Sequence, residues 1–147
     1  AVVARRMERL EAAALQGGSL LLVDSAPLIY FLDGREPQAS RFAPLFQRFD
    51  AEELKLAVSA ITIAEVLTGP IKAGNETLTK RYRGAMESML VVNVDADIAE
   101  SAARIRASLG LKLPDAIQVA CALAIGAEAL VTHDRDFRSV KDLRVLT

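Results

Sequence analysis

Short apolar runs alternate with longer amphipathic segments along most of this chain. The run SLLLVD at 19–24 is continuous, apolar and of strand length, which is typical of a strand buried on both faces. Comparable runs recur downstream. Together they predict five strands, at 19–24, 54–60, 90–94, 127–132 and 143–147.

The segments between these runs have the periodicity and the end signals of helices. APLIYFLDG at 26–34 has Pro27 in its first turn and Gly34 as its stop. PDAIQVACALAIG at 114–126 is apolar nearly all round, which predicts a buried helix. Other helices are predicted at 40–49, at 61–70 with an end at Gly69-Pro70, at 75–89 and at 95–110. This alternation predicts an α/β fold with a mainly parallel sheet.

The first 18 residues stand apart from this alternation. Apolar residues recur there at helical spacing and predict a short helix over 2–15, namely Val3, Met7, Leu10 and Ala14. Gly17 and Gly18 then end it. We interpret 1–18 as an N-terminal helical extension that serves packing or oligomerisation, and 19–147 as the main domain.

Composition narrows the class of protein. A chain of 147 residues with 52% hydrophobic content suits one domain with a sizeable core. The net charge of −1 gives no overall basic surface, so any binding to nucleic acid must be local. The single cysteine, Cys121, excludes an intrachain disulfide and fits a reducing compartment. No apolar run is long enough to span a membrane, and no secretory signal is recognised. We therefore expect a cytoplasmic protein that has no membrane as a partner.

Acidic residues recur where the predicted strands end. Asp24 ends the first strand, Glu65 lies one turn into the helix after the second, and Asp115 opens the buried helix. Asp134 follows the fourth strand. In an open parallel sheet, ligands bind beyond the carboxyl ends of the strands, so these four side chains are expected at one edge of the sheet.

Simple lengths bring Asp134 back towards Asp115. Residues 115–125 form about 16 Å of helix, and residues 127–132 form about 20 Å of strand. If the strand runs antiparallel to the helix, it ends near the point where the helix began. The two carboxylates are therefore expected to be neighbours.

Each acid also has an ordinary structural explanation. Asp24 fits an N-cap, and Thr62 with Glu65 fits a capping box. Asp115 suits the first turn of a helix, while Asp134 and Asp136 suit a turn. Caps should be scattered over both edges of the sheet, however, and these acids share one. Clustered carboxylates raise one another's pKa, and a divalent cation removes that cost. Ligand sets made only of oxygen favour Mg²⁺ or Mn²⁺.

The chain resembles a known family at this point. LLLVDSAPLIYFLDG, SAITIAEVLTG, PDAIQVACALAIGAEALVTHDRDF and the closing LRVL are similar to a PIN domain, of the kind found in VapC-type toxin ribonucleases. The resemblance covers 19–147. It implies a three-layer α/β/α fold around a mainly parallel sheet of about five strands, and an endoribonuclease that depends on Mg²⁺ or Mn²⁺.

The resemblance also implies roles for particular residues. The family's four acids fall on catalytic and metal-binding positions, Asp24, Glu65, Asp115 and Asp134. Ser25 and Thr132 match the hydroxyl residues beside the first and fourth acids. Asp136 is expected to support the site, because Phe137 after it packs back on the core. Asp24 and Asp115 would be the central ligands, Asp134 would complete the ligand set or bind a second ion, and Glu65 would hold a metal-bound water or orient the nucleophile.

Partners follow from the same resemblance. Such toxins cleave RNA, are held inactive by a small antitoxin protein and commonly form homodimers. Because the site is acidic, local cations must guide the strand, and the candidates are Lys72, Lys80, Arg81 and Arg83, or Arg135, Arg138 and Lys141.

Three alternatives remain. The chain is a PIN nuclease outside a toxin–antitoxin pair, a non-catalytic PIN-like binding module in which the acids cap helices, or another aspartate-dependent α/β protein. A haloacid-dehalogenase-type phosphatase needs a second aspartate where Ala26 stands, and a phospho-receiver needs an acidic pair at the first strand, where Asp24 is single.

Overall fold

The computed structural model describes residues 7–147, over which the chain forms five strands and six α-helices. The elements in order are β1 (Leu20–Val23), α1 (Ser25–Asp33), α2 (Gln38–Asp50), β2 (Lys55–Ser59), α3 (Ala60–Lys72), α4 (Glu76–Glu87), β3 (Leu90–Val92), α5 (Ala96–Leu109), α6 (Leu113–Ala124), β4 (Ala129–Val131) and β5 (Arg144–Leu146). Short 3-10 turns occur at Ala12–Ala14 and Arg135–Ser139.

The five strands form one sheet in the order β3-β2-β1-β4-β5. Every neighbouring pair is parallel, so all carboxyl ends lie at the same edge. β1 is central, and Asp24 follows it directly. The predicted parallel α/β sheet is confirmed, and the arrangement brings distant segments together at that edge.

Side-chain alternation along the strands builds a core on each face of the sheet. Leu21 and Val23 pack with residues of α1, α2, α3 and α4, while Leu22 between them packs with residues of α5 and α6. The result is the predicted three-layer α/β/α fold. α6 is buried along most of its length, as its continuous apolar sequence predicted.

Among residues 7–147, no single helix is long and apolar enough to cross a membrane. α5 and α6 reach that length only as a pair bent by 119°.

One predicted helix end is wrong. α3 was expected to end at Gly69-Pro70 but continues through Pro70 to Lys72. Pro70 has no N–H to donate, yet it lies one turn after Val66 on the same buried face. The backbone N–H of Ala73 still donates to the carbonyl of Gly69 at 3.1 Å. Burial of the proline ring and continued hydrogen bonding carry the helix beyond the signal that predicted its end.

The N-terminal segment also differs from its prediction. The part of the predicted 2–15 helix before Met7 lies outside the described residues, and over 7–15 the helix prediction is wrong. Glu8 instead forms a parallel bridge with Leu146. The N–H of Glu8 donates to Val145 O, and the N–H of Leu10 donates to Thr147 O, both at 2.8 Å. β5 is the last strand of the sheet, so one side of it has unpaired backbone N–H and C=O groups. Pairing with these groups is favoured over the helix that the spacing of apolar residues predicted.

Arg48 of α2 fixes the segment from the other side. Its guanidinium Nη1 donates to the carbonyls of Ala12 and Leu15, both at 2.6 Å, and its Nε donates to Glu53 at 2.7 Å. The N-terminal segment thus packs on the domain through β5 and α2. The division into 1–18 and 19–147 remains a prediction.

We expect Arg48→Met to lower the free energy of unfolding by about 1–3 kcal/mol, because it keeps the apolar stem and removes charged hydrogen bonds to two carbonyls. Urea denaturation measures this loss. Arg83→Met is the matched control, since Arg83 makes only an exposed pair with Glu87, and such a pair contributes about 0.5 kcal/mol or less. Equal losses in the two variants would contradict the anchoring role of Arg48.

Candidate active site

Five acidic side chains from four places in the sequence meet at the carboxyl edge of the sheet. Asp24 follows β1, Glu65 lies in the second turn of α3, and Asp115 lies in the first turn of α6. Asp134 and Asp136 lie in the turn after β4. The five acids are electrostatically coupled. Each either raises the pKa of another acid of the set or has its own pKa raised by one.

Asp24 is the buried member, with 7% of its surface exposed. Its Oδ1 accepts from the backbone N–H of Ser25 at 2.9 Å and from Gln118 Nε2 at 3.0 Å, while its Oδ2 accepts from Thr132 Oγ1 at 2.8 Å. Asp24 is therefore also the N-cap of α1, so the structural explanation and a role in the site are compatible. Its charge is held by donors from α1, α6 and the end of β4.

Gln118 is the residue of this network that the sequence did not single out. Its Nε2 donates to Asp24 and to Thr62 Oγ1 at 2.8 Å. The side chain is 1% exposed, and its Oε1 has no partner among the described residues. A signal did exist, because Gln118 is a lone polar residue in an apolar helix, one turn after Asp115. Burying such a side chain costs free energy unless it is hydrogen-bonded, so its presence indicates polar partners nearby.

Asp115, Asp134 and Asp136 form the more accessible part of the site. Each offers a carboxylate oxygen, and these oxygens all lie within 4.8 Å of one another. The expected approach of Asp134 to Asp115 is thus present. Asp136, which was expected to support the site, also has an oxygen within this 4.8 Å. Asp24 and Glu65 are outside this triad.

Burial and mutual repulsion raise the pKa of the coupled acids. The pKa of Asp115 rises to about 6 because of burial and then because of the charges of Asp24, Asp134 and Asp136. Burial also raises the pKa of Asp24, although its hydrogen bonds from Thr132, Ser25 and Gln118 oppose that rise. Carboxylates left in this arrangement favour a proton or a cation.

Glu65 contacts the site and does not cap its helix. Ser25 Oγ donates to Glu65 Oε2 at 3.3 Å, and burial followed by the charge of Asp24 raises the pKa of Glu65. The N-cap of α3 is Ser59, whose side chain accepts from the N–H of Thr62. The capping box proposed for Thr62 and Glu65 is therefore wrong. This leaves the carboxylate of Glu65 available to the site.

The turn between Thr132 and Asp136 organises this edge. Thr132 Oγ1 donates to Asp24 and accepts from the N–H of Asp134 at 3.0 Å, and Asp134 Oδ1 accepts from the N–H of Asp136 at 2.8 Å. Phe137 is fully buried, as expected, and ties the turn to the core. Asp134 and Asp136 therefore form hydrogen bonds within the turn and also lie close to Asp115.

A protein-family model for the PIN domain matches residues 21–143. No curated protein matches the sequence.

Several solved structures share the fold. A toxin–antitoxin complex from Klebsiella pneumoniae includes a chain with 31% identity and a TM-score of 0.69, and the match covers 86% of this chain and 96% of that one. A VapBC complex from Rickettsia felis bound to promoter DNA has 18% identity, a TM-score of 0.69 and the same coverage. A sarcin–ricin loop cleaving VapC toxin from Mycobacterium tuberculosis has 16% identity and a TM-score of 0.63, with 80% and 92% covered. The last two resemblances concern the fold alone.

We expect the metal-free protein to lose stability relative to Asp115→Asn as the pH rises. Asp115 holds its proton more tightly when folded, so its protonation stabilises the fold below the ordinary pKa of 3.8 and is lost as the pH passes about 6. Asp115 is only half-buried, so solvent limits the effect to about 1 kcal/mol.

Urea denaturation of both proteins in EDTA at pH 4 and pH 7 measures this difference. An advantage for Asp115→Asn that is equal at the two pH values would contradict the raised pKa of Asp115.

Proposed function

This chain belongs to the PIN domain family, and from that premise we propose that it is a metal-dependent endoribonuclease, the toxin of a type II toxin–antitoxin pair. The observation that carries the proposal is the convergence of five carboxylates from distant segments on the carboxyl edge of a parallel sheet. A fold alone does not give a function. Carboxylates that raise one another's pKa at a ligand-binding edge indicate a catalytic or metal-binding site.

The donor set fits a hard divalent cation. Asp115, Asp134 and Asp136 supply only oxygen ligands within 4.8 Å of one another, and Mg²⁺ and Mn²⁺ prefer such ligands. A bound divalent cation lowers the pKa of water and offsets charge on a phosphate. We assign the cation to these three residues together with Asp24, and the wider set includes Glu65 as the resemblance implies.

The residues around the site keep the acids in place. Thr132 and Gln118 orient the carboxylate of Asp24, and one acceptor position on its Oδ2 remains beside the bond from Thr132. Ser25 holds Glu65 through its hydroxyl. Partial desolvation and the charge of Asp24 raise the pKa of Glu65, although the residue as a whole is exposed, so it is suited to accept a proton from, or orient, the attacking water. Preorganisation of this kind is a large part of catalysis of phosphoryl transfer.

The partners follow from the family and from the relatives. The chain from Klebsiella pneumoniae, at 31% identity, belongs to a toxin–antitoxin complex. We propose by analogy a small antitoxin protein as the partner, RNA as the substrate, a homodimer as the assembly and the cytoplasm as the location. Residues 19–147 would be the nuclease domain, and 1–18 an extension.

A non-catalytic binding module is the second candidate. Asp24 caps α1 and already has three hydrogen-bond donors, which are features of a structural carboxylate. The module would keep the fold and bind no cation at the acids. Calorimetric titration with Mn²⁺ therefore separates the two candidates.

We expect Asp24→Asn and Asp115→Asn each to lower the rate of RNA cleavage in Mn²⁺ by about a hundredfold or more, since each removes charge that holds the cation. Cleavage of a labelled single-stranded RNA measures the rate, and circular dichroism verifies the fold. Asp50→Asn is the matched control, because Asp50 is exposed at the end of α2, at the opposite edge of the sheet. Folded variants that cut as fast as the parent would contradict the proposal.

We expect Asp136→Asn to weaken Mn²⁺ binding about tenfold or more, as Asp134→Asn does, because each carboxylate has an oxygen within 4.8 Å of one of Asp115. Calorimetry measures both affinities, again with Asp50→Asn as the control. Loss of affinity in Asp134→Asn alone would restore Asp136 to the supporting role that the sequence predicted.

A further inference from the structure

A basic cleft lies immediately beside the acidic site. It is an open cavity of about 530 Å³, and its lining includes Arg9, Ser40, Arg41 and His133. His133 is the residue between Thr132 and Asp134, so its Cα is about 3.8 Å from theirs. The cleft and the acids therefore share one turn of the chain.

Arg9 reaches this cleft because of the way the N-terminal segment pairs. Glu8 bridges the end of β5 in parallel, so the chain leaves that bridge in the direction in which the strands point. Leu10, on the other side of Arg9, donates its N–H to Thr147 O at 2.8 Å. Backbone bonds on both sides thus hold Arg9 near the carboxyl edge. Its nearest carboxylate contact is a 3.7 Å pair with Glu11, and both side chains are largely exposed.

Arg41 and His133 are held by aromatic rings. The guanidinium of Arg41 lies 5.9 Å from the centre of the Phe42 ring, and no ion pair of Arg41 occurs within residues 7–147. The ring of His133 stands edge-on to Tyr30 and Phe42, with centroids 5.4 Å and 6.1 Å apart, while the residue itself is exposed. These contacts position polar groups and leave them open to a ligand.

The charge of the cleft favours phosphate. Two arginines offer the planar donor sets that match phosphate oxygens, and the first turn of α2 adds a favourable helix dipole. Two opposing charges lie nearby, Glu11, which pairs with Arg9 at 3.7 Å, and Glu36, whose carboxylate accepts from the N–H and the Oγ of Ser40. Neither lines the cleft, whose lining has two arginines and no carboxylate.

We propose that this cleft binds a backbone phosphate of the RNA strand next to the one cleaved. The inference rests on the proposed ribonuclease function and deepens it. A strand whose scissile phosphate lies at the acids extends to both sides of them, and the cleft is a surface lined by two arginines on the side of His133. Arg9 and Arg41 are additional to the cations expected from the sequence, which stay a prediction.

Binding of a fluorescein-labelled single-stranded RNA in EDTA, where no cation supports cleavage, tests the inference. We expect Arg9→Gln and Arg41→Gln each to weaken binding severalfold at low salt, measured by fluorescence anisotropy. Each lost phosphate contact should also lower the slope of log affinity against log salt by about 0.7. Arg104→Gln on α5 is the matched control, because it removes one exposed charge away from the cleft.

Several results would overturn the inference. They are an unchanged affinity and slope in both cleft variants, an equal effect in Arg104→Gln, and no RNA binding by the parent. If potassium phosphate displaces RNA more strongly than potassium chloride at equal ionic strength, and only in proteins with an intact cleft, the site takes free phosphate and the strand assignment is wrong. If only the affinity for a protein partner changes in the cleft variants, the cleft is a protein-binding site.

The proposed function is tested separately by cleavage in Mn²⁺. If the parent cuts RNA and the cleft variants bind RNA normally, the proposed ribonuclease function stands and the proposed phosphate site is wrong. If the parent binds RNA through the cleft but does not cut it, the phosphate site stands and the ribonuclease function is wrong.

Discussion

The burial of the Asp24 carboxylate at the end of the central strand is the constraint on which the site depends. A carboxylate with 7% exposure is tolerated only if donors surround it. Those donors come from the first turn of α1, from α6 and from the end of β4. The three elements must therefore be in register for the fold to be stable. The hydrogen bonds that satisfy Asp24 also fix the positions of its acidic neighbours.

Asp24 divides the acids into an inner and an outer group. The inner carboxylate is rigid and hydrogen-bonded, and the outer triad of Asp115, Asp134 and Asp136 is more accessible. Burial alone would raise the pKa of Asp24, but the donors oppose the rise. Asp115 has no side-chain donor among the causes that set its pKa, so burial and three like charges raise that pKa to about 6. The outer group is thus the part of the site that gains most from a cation.

Sequence reasoning located the strands and the helices because their signals are local. Asp24, Asp115 and Asp134 could be assigned to one edge because parallel strands point the same way. Features decided by tertiary contacts were missed. α3 continues through Pro70 because the ring is buried, and Glu8 and Leu10 pair with the end of β5 because that strand offers free backbone groups. Gln118 stood out only as a lone polar residue in an apolar helix, and its hydrogen-bond partners, Asp24 and Thr62, come near it only through the fold.

The N-terminal segment and the acidic site are connected through β5. Arg144 at the start of β5 binds Glu8 and Glu128, and Thr147 just after β5 exchanges backbone bonds with Glu8 and Leu10. β5, whose carboxyl end lies at the edge that gathers the acids, therefore also positions a segment outside the strand–helix alternation. Acids and arginines can be neighbours here because each group is held by its own bonds. The parallel pairing brings Arg9 of this segment towards the carboxyl edge of the sheet. A basic surface can therefore occur locally in a chain whose net charge is −1.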